Sequence, residues 1–421
     1  MSDFTVGFAG LTHLGLNSAV GAAEKGFDVV CFDPDAAHVA RLLRHELPIV
    51  EPLLPELLAK NQKRIRFTDN ADDLRRCALV YVAPDVPTDD RGSSDLAPLA
   101  ALLDRVEPAL ARDAVAVILS QVPPGFTRSR QRAGGALYYQ VETLIFGRAI
   151  ERTLNPERFI IGCADPEQRL PDVLRRYLES YGCPILPMRF ESAELAKISI
   201  NMCLIASVGV ANMMAELCER VGADWNEIVP SLRLDRRIGQ HSYISAGLGL
   251  SGGNLERDVA TVCRLTAERG GDSGIAQAWL ANSAHRKLWP LRVLHAKLLG
   301  KHQDPLIAIL GLAYKEDTAS TKNSAAVALL RGLKPFRARV YDPVVKADAA
   351  WHPRLTQHST ALEACEGSDA VCLMTPWPEF ASLPPDAVAK RMAGKLAIDP
   401  YRLLDGTRAA ASGLDHIMLG K

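Results

Sequence analysis

A lysine and an asparagine four residues apart, Lys197 and Asn201, lie in a stretch of helical periodicity, so both side chains leave one helix face towards a single point. A small-molecule oxygen can sit between such an ammonium and a carboxamide. The neighbours Ala196, Ile198 and Ile200 are apolar, which argues against a merely solvated helix charge at Lys197. A lysine partly stripped of water has its pKa lowered and can take a proton from an alcohol.

A second set of residues speaks of a nucleotide. Gly10-Leu11-Thr12-His13-Leu14-Gly15 follows an apolar strand pattern and opens a helical one, the place of a GxGxxG turn, with Thr12 where the middle glycine belongs. Gly10 supplies the tight turn and Gly15 allows helix and strand to pack closely, while a Cβ at Thr12 takes room from a pyrophosphate. Asp33 comes 23 residues after Gly10, at the end of the second strand pattern. A carboxylate there accepts from both ribose hydroxyls and repels a 2′-phosphate, which favours NAD over NADP. The plainer reading is a Rossmann-like fold that has lost its cofactor.

The elements that must position these groups follow from the pattern. Strand-like runs at 4–9, 78–83, 115–119 and 159–162 alternate with helical segments, as in a parallel doubly wound sheet. Helical spacing then runs from Glu191 to Val221 and again over 255–299. Strand patterns return at 306–310, 338–341, 370–374 and 396–398, with a helix over 324–333. The expected fold is two Rossmann-like doubly wound α/β domains joined by a long-helix central domain: residues 1–190, 191–299 and 300–421.

Composition narrows the function classes. The 421 residues are 48% hydrophobic, and 49 basic residues balance 49 acidic ones, so no net field favours nucleic acid or an anionic membrane. Nine cysteines are scattered singly, at 31, 77, 163, 183, 203, 218, 263, 365 and 372, and read as reduced, mostly core thiols without a metal site. Met1-Ser2-Asp3-Phe4 opens no signal-peptide pattern and no apolar run is read as long enough to span a bilayer, so a cytosolic protein is expected.

Several separated segments resemble the UDP-glucose/GDP-mannose dehydrogenase family, in the family's order and over nearly the whole chain. Pro48-Ile49-Val50-Glu51-Pro52 is similar to PIYEP, Gly92-Ser93-Ser94-Asp95-Leu96 to GSADL, and Ser120-Gln121-Val122-Pro123-Pro124-Gly125 to STVPxG. Glu194-Leu195-Ala196-Lys197 with Asn201 resembles the AE..K...N helix, and Arg237-Ile238-Gly239 matches RIG. Gly311-Leu312-Ala313-Tyr314-Lys315 is similar to GLAFK, Tyr341-Asp342-Pro343 to YDP, and Thr375-Pro376-Trp377 with Glu379-Phe380 to TxWxEF.

The resemblance implies an N-terminal NAD domain, a long helix that builds a homodimer, and a C-terminal domain for the nucleoside diphosphate of a sugar nucleotide, UDP-linked by default. It implies that Lys197 and Asn201 stabilise the oxygen of the reacting carbon. Ser120 and Arg257 go with Gly10, Thr12, His13, Leu14, Gly15 and Asp33 to the cofactor, and Tyr243, Gly249, Lys315, Lys322 and Arg237 to the substrate, the arginine reaching across a dimer. Asp258 matches the family's water-activating aspartate. It and Glu142 are acid/base candidates, or else structural carboxylates.

The departures bear on chemistry. Gly249-Leu250-Ser251-Gly252-Gly253-Asn254-Leu255-Glu256-Arg257-Asp258 aligns with GFGGSCLPKD and puts Asn254 at the catalytic cysteine. Family enzymes oxidise a primary alcohol twice, trapping the aldehyde on that cysteine and hydrolysing the resulting thioester. A carboxamide cannot do so, and Cys263, nine residues on, reads as a core thiol. Glu142-Thr143-Leu144-Ile145-Phe146-Gly147 aligns with EFLREG and puts Phe146 at a glutamate of the hydrolytic half; Ile145, Gln121, Arg257 and Lys322 are further changes. Three readings stay open: a dehydrogenase that stops after one two-electron step at an aldehyde or ketone, an enzyme that retains NAD for epimerisation or elimination, and a non-catalytic nucleotide-binding homologue.

Overall fold

The computed structural model describes residues 4–87, 89, 94–131 and 136–421. Gly92 and Ser93 of the GSADL-like segment lie outside the described residues. The chain divides into two compact units, one ending at Ile200 and one beginning at Asn201.

In the first unit, apolar runs of four to six residues make strands buried on both faces, the signature of a parallel sheet covered on both sides. The strands are β1 (Thr5–Ala9), β2 (Asp28–Phe32), β3 (Ile65–Thr68), β4 (Cys77–Val82), β5 (Val115–Ile118), β6 (Ala136–Gln140), β7 (Phe159–Cys163) and β8 (Ile185–Arg189), in the order β3-β2-β1-β4-β5-β6-β7-β8. The order reverses between β1 and β4, and ligands of such sheets bind outside the strand ends at that point. One core packs Phe8, Leu16, Val29 and Tyr81, the other Phe32, Val82, Leu103 and Ile118. Each such side chain removed from water contributes roughly 1.5–3 kcal/mol.

All neighbouring pairs are parallel except β6 and β7, which run antiparallel with Tyr139 opposite Gly162. The wholly parallel sheet expected from the alternation is corrected here, and the cause is the β6–β7 connection. It leaves β6 and enters β7 at the same end of the sheet, with Gly147 and Ala149 held by Glu51 and its helix Ala149–Leu154 packed on helix His13–Glu24.

The second unit carries β9 (Leu306–Leu310), β10 (Arg337–Tyr341), β11 (Leu355–Gln357), β12 (Ala370–Leu373), β13 (Leu396–Asp399) and β14 (Asp415–Met418), all parallel in the order β11-β10-β9-β12-β13-β14. Helices Trp225–Leu234, Asn254–Glu268, Gly274–Lys287 and Trp289–Leu294 precede that sheet. The helical block expected over 255–299 is thus broken, and Gly270, with φ of +72°, marks the first break.

Helix Phe190–Val221 is one continuous element of 32 residues. It is long and apolar enough, by length and composition, to cross a bilayer, with a mean hydropathy of 1.7 over its most apolar window. The expectation that no run reaches that length is corrected: Ser199, Asn201, Ser207 and Asn212 punctuate residues 198–215, yet none of the stretch is charged. Its polar groups find partners, Asn201 donating to Asp258 and Asn212 accepting from Gly247 N at 2.7 Å. Val210, Met213, Leu217 and Val221 form an exposed apolar stripe on the same helix. Cys203 shares this outward exposure, whereas Cys31, Cys77, Cys163, Cys218, Cys365 and Cys372 are buried; all nine are free thiols.

Candidate functional site

The glycine turn sits at the switch point. Gly10 has φ of +87°, and a Cβ there would lie 2.8 Å from Pro84 N; one at Gly15 would lie 1.9 Å from Gly10 O. Both glycines are therefore dictated by backbone contact. Helix His13–Glu24 follows directly on Thr12, whose backbone is extended, and Leu14 is buried in the core beneath it.

The threonine in the middle-glycine position has a partner. Its Oγ1 accepts from Asp85 N at 2.7 Å, and the Asp85 carboxylate accepts from His13 N at 2.9 Å. Ser120 is fully buried and donates its Oγ to Pro84 O at 2.5 Å, so its hydroxyl proton fixes the residue against which Gly10 turns.

Asp33, 8% exposed, accepts from Leu11 N at 2.8 Å through Oδ2 and from Asp35 N at 3.0 Å through Oδ1. A carboxylate has about four acceptor positions, so room remains for ribose hydroxyls. The second unit supplies a contrast. Asp342 accepts from Leu312 N, Ala313 N and Trp377 Nε1 on Oδ2 and from Val344 N and Val345 N on Oδ1. Its positions are filled by the protein, whereas Asp33 keeps acceptor capacity.

Two residues at the turn, Glu51 and Asp85, have no role legible in the sequence alone. Glu51, 3% exposed, lies 3.0 Å from His13 Nε2 and accepts from Gly147 N at 3.1 Å and Ala149 N at 2.7 Å. Phe146 stacks on the His13 ring with centroids 4.2 Å apart. Phe146, expected from the sequence at a glutamate position of the EFLREG-like segment, thus packs on the glycine turn.

Lys197 Nζ lies 2.9 Å from Glu142 Oε1, both side chains mostly buried, and Glu142 Oε2 accepts from Leu144 N at 2.9 Å. One turn earlier, Glu194 accepts from Gly125 N at 2.6 Å and Thr127 N at 2.8 Å, anchoring the Ser120–Gly125 loop to the long helix. Burial raises the Glu194 carboxyl above its ordinary range, against the opposing effect of those two N–H groups.

In the second unit, Asn201 Nδ2 donates to Asp258, whose other oxygen takes Arg257 Nε at 3.0 Å. Asp258 is 1% exposed and Arg257 7%. Two sequence-assigned residues are thus brought together with Asn201 in a buried network. Gly249, with φ of +79°, packs on the Ser283 carbonyl, and Leu250 N donates to Ser283 Oγ at 2.8 Å. Gly252 N donates to Lys322 O at 3.0 Å; Asn323 Nδ2 donates to Gly252 O at 3.0 Å and to Glu256. Asn254 is exposed and is the first residue of helix Asn254–Glu268. Lys315 and Lys322 are half-buried, and Tyr243 is exposed close enough to Tyr314 for the two phenols to interact. Arg237 is 89% exposed and pairs with its neighbour Asp235.

Comparison with known proteins decides what this arrangement belongs to. The NAD binding domain of the UDP-glucose/GDP-mannose dehydrogenase family matches residues 4–180, its central domain residues 191–283 and its UDP binding domain residues 308–406. A UDP-glucose 6-dehydrogenase of Pseudomonas aeruginosa is 31% identical over 98% of this chain and 96% of its own length. The chain belongs to the UDP-glucose/GDP-mannose dehydrogenase family. A UDP-glucose dehydrogenase structure from Pyrobaculum islandicum, 27% identical, superimposes with a TM-score of 0.84 over 96% of this chain and 98% of that one. A UDP-D-ManNAc dehydrogenase from Pyrococcus horikoshii, 24% identical, shares the fold at a TM-score of 0.84 over 99% of each chain.

Membership makes the chain an NAD-binding oxidoreductase of the nucleotide-sugar dehydrogenase type. The unfilled acceptor capacity of Asp33 fits the ribose in the adenosine half of that cofactor. Asn254, expected from the sequence at the family's thiol position, is exposed. Cys263, further along the same helix, packs against the Ile205–Leu250–Val259 cluster but is only half-buried, where a core thiol is expected from the sequence; burial raises its pKa and keeps it a thiol.

Proposed function

We propose that this chain oxidises a hydroxyl of a nucleotide-linked sugar once, by two electrons, and releases an aldehyde or ketone. The observation that carries the reading is the Lys197–Glu142 pair at 2.9 Å on a helix that also bears Asn201, in a chain with Asn254 at the thiol position. NAD, which the Gly10–Gly15 turn and Asp33 would hold, would supply the acceptor for the hydride of the carbinol carbon. The hydroxyl proton passes to the Lys197–Glu142 pair, and the family resemblance assigns the Asn201 amide, four residues on along the same helix, to the oxygen on which charge develops. Asp258 and Arg257 act as positioning residues that fix the Asn201 amide.

The step balances as alcohol plus NAD⁺ giving carbonyl, NADH and one proton. A second oxidation requires a covalent hemiacetal or a hydrate, and the side chain at 254 is no nucleophile for the former. UDP-glucose is the default substrate from the relatives' names. A homodimer built on the exposed stripe Val210, Met213, Leu217 and Val221, with Arg237 serving the partner's substrate, and a cytosolic location belong to the same reading. The test is NADH formation against a panel of nucleotide sugars, with products identified by mass. One NADH per substrate and a loss of two hydrogens is expected; two NADH per substrate overturns the proposal.

A second reading, a nucleotide-binding homologue without turnover, is favoured by Thr12 and Asp85 at the cofactor turn. Binding of NAD and a sugar nucleotide without any reduction or isomerised product would select it.

A further inference from the structure

The first backbone N–H of the helix after a Rossmann turn is a donor for the dinucleotide pyrophosphate, because that end of the helix carries partial positive charge. Here the donor is His13 N, and it already holds a carboxylate. Asp85 Oδ2 sits 2.9 Å from it, and Asp85 N in turn donates to Thr12 Oγ1 at 2.7 Å. The clasp is reciprocal and closes over the middle position of the turn. Asp85 follows β4 directly after Ala83 and Pro84, so the carboxylate comes from the other strand that borders the switch point.

We infer that Asp85 is an affinity-determining residue for the cofactor, standing in for a pyrophosphate oxygen in the free protein. The inference rests on the reading that NAD binds at this turn. Its phosphates reach His13 N only after the Asp85 side chain turns away, and they then meet a nearby negative charge. Two costs are built in: a charge-assisted hydrogen bond is broken, and like charges approach. The same contact explains why threonine is tolerated where a glycine is usual. With a protein carboxylate in the anion position, the hydroxyl is a partner for the Asp85 backbone, and the Cβ obstructs nothing that is already there.

Calorimetric titration of the full chain with NAD tests this, comparing wild type, Asp85→Asn, Asp85→Ala and Asp33→Ala at one ionic strength, with adenosine as the phosphate-free probe. Asp85→Asn keeps an acceptor oxygen for His13 N and is the variant least exposed to misfolding. Both Asp85 variants are expected to bind NAD at least tenfold more tightly, to bind adenosine as wild type does, and to melt at lower temperature without ligand. Tighter binding with lower stability is a pair of opposite signs that a purely structural aspartate does not give. Measurable wild-type affinity that is unchanged or weakened in both Asp85 variants overturns the inference and leaves the NAD reading intact. Equal tightening for adenosine overturns it too, as general loosening. If neither wild type nor any variant takes NAD, the cofactor reading fails and the inference with it.

Discussion

Asp33 and Asp342 hold the same place in two separately folded α/β units, each following the second strand and each accepting the N–H of the residue after a turn glycine, Leu11 at 2.8 Å and Leu312 at 2.6 Å. They differ in what else they accept. Asp33→Ala should weaken NAD binding by about tenfold or more through lost ribose contacts. Asp342→Ala should leave NAD affinity unchanged while destabilising the fold by about 3 kcal/mol or more, since five donors lose their acceptor. NAD calorimetry and denaturant unfolding of the two variants separate these effects.

Lys197→Ala should lower kcat by about 10²–10⁴-fold with nucleotide-sugar binding retained. Asp258→Asn should cost about tenfold to a hundredfold, because the Asn201 amide loses its charged anchor. Steady-state kinetics that show a change in KM alone for Lys197→Ala would remove it from the chemistry.

Asn254→Cys puts a thiol at the first position of a 15-residue helix, where the helix end lowers a thiol pKa. The new thiol should react with iodoacetamide at neutral pH well ahead of the half-buried Cys263, whose pKa burial raises. Labelling followed by peptide mass mapping reports the order, and NADH stoichiometry above one per substrate would show the second oxidation returning.

The acid limb of stability should carry the mark of Glu216. Burial alone would raise this carboxyl, but hydrogen bonds from His285 and Arg220 and the charge of the buried Arg286 outweigh it and bring it down to about 2. The folded group titrates below its unfolded value of 4.5, so its stabilisation is complete above pH 4.5 and is lost as pH falls towards 2. After allowance for solvent screening the loss is on the order of 1–2 kcal/mol. Glu216→Gln should flatten that part of the stability curve, as followed by urea unfolding between pH 2 and 5.

Leu217→Lys should convert a dimer to a monomer in sedimentation velocity without unfolding the chain, because Leu217 is 48% exposed on the outward stripe of the long helix. A wild-type monomer would rule out the stripe as a dimer contact.

Residues whose backbone geometry admits no substitute are legible in the amino-acid sequence alone. Gly10, Gly15 and Asp33 announce themselves by spacing, and Lys197 with Asn201 by helical period. Glu51 and Asp85 do not, because each acts across a long chain separation: Asp85 on Thr12, Glu51 on His13 and on Gly147. Strands β3, β6, β8, β11 and β14 escape the pattern, four of them lying at the edges of their sheets, with exposed positions that dilute the apolar run. The antiparallel β6–β7 pair is hidden for a related reason, since Glu51 gathers a connection that local periodicity treats as an ordinary crossover.

The loop from Gly249 to Asn254 hangs from contacts that do not involve the side chain at 254. Ser283 holds Leu250, the Lys322 carbonyl holds Gly252 N, and Asn323, in the left-handed region at φ of +54°, holds Gly252 O. The position is a socket whose shape is indifferent to its occupant. A protein engineer can therefore treat it as interchangeable, fitting thiol, hydroxyl, imidazole or carboxylate on one scaffold, so that differences in reaction outcome report on the side chain alone.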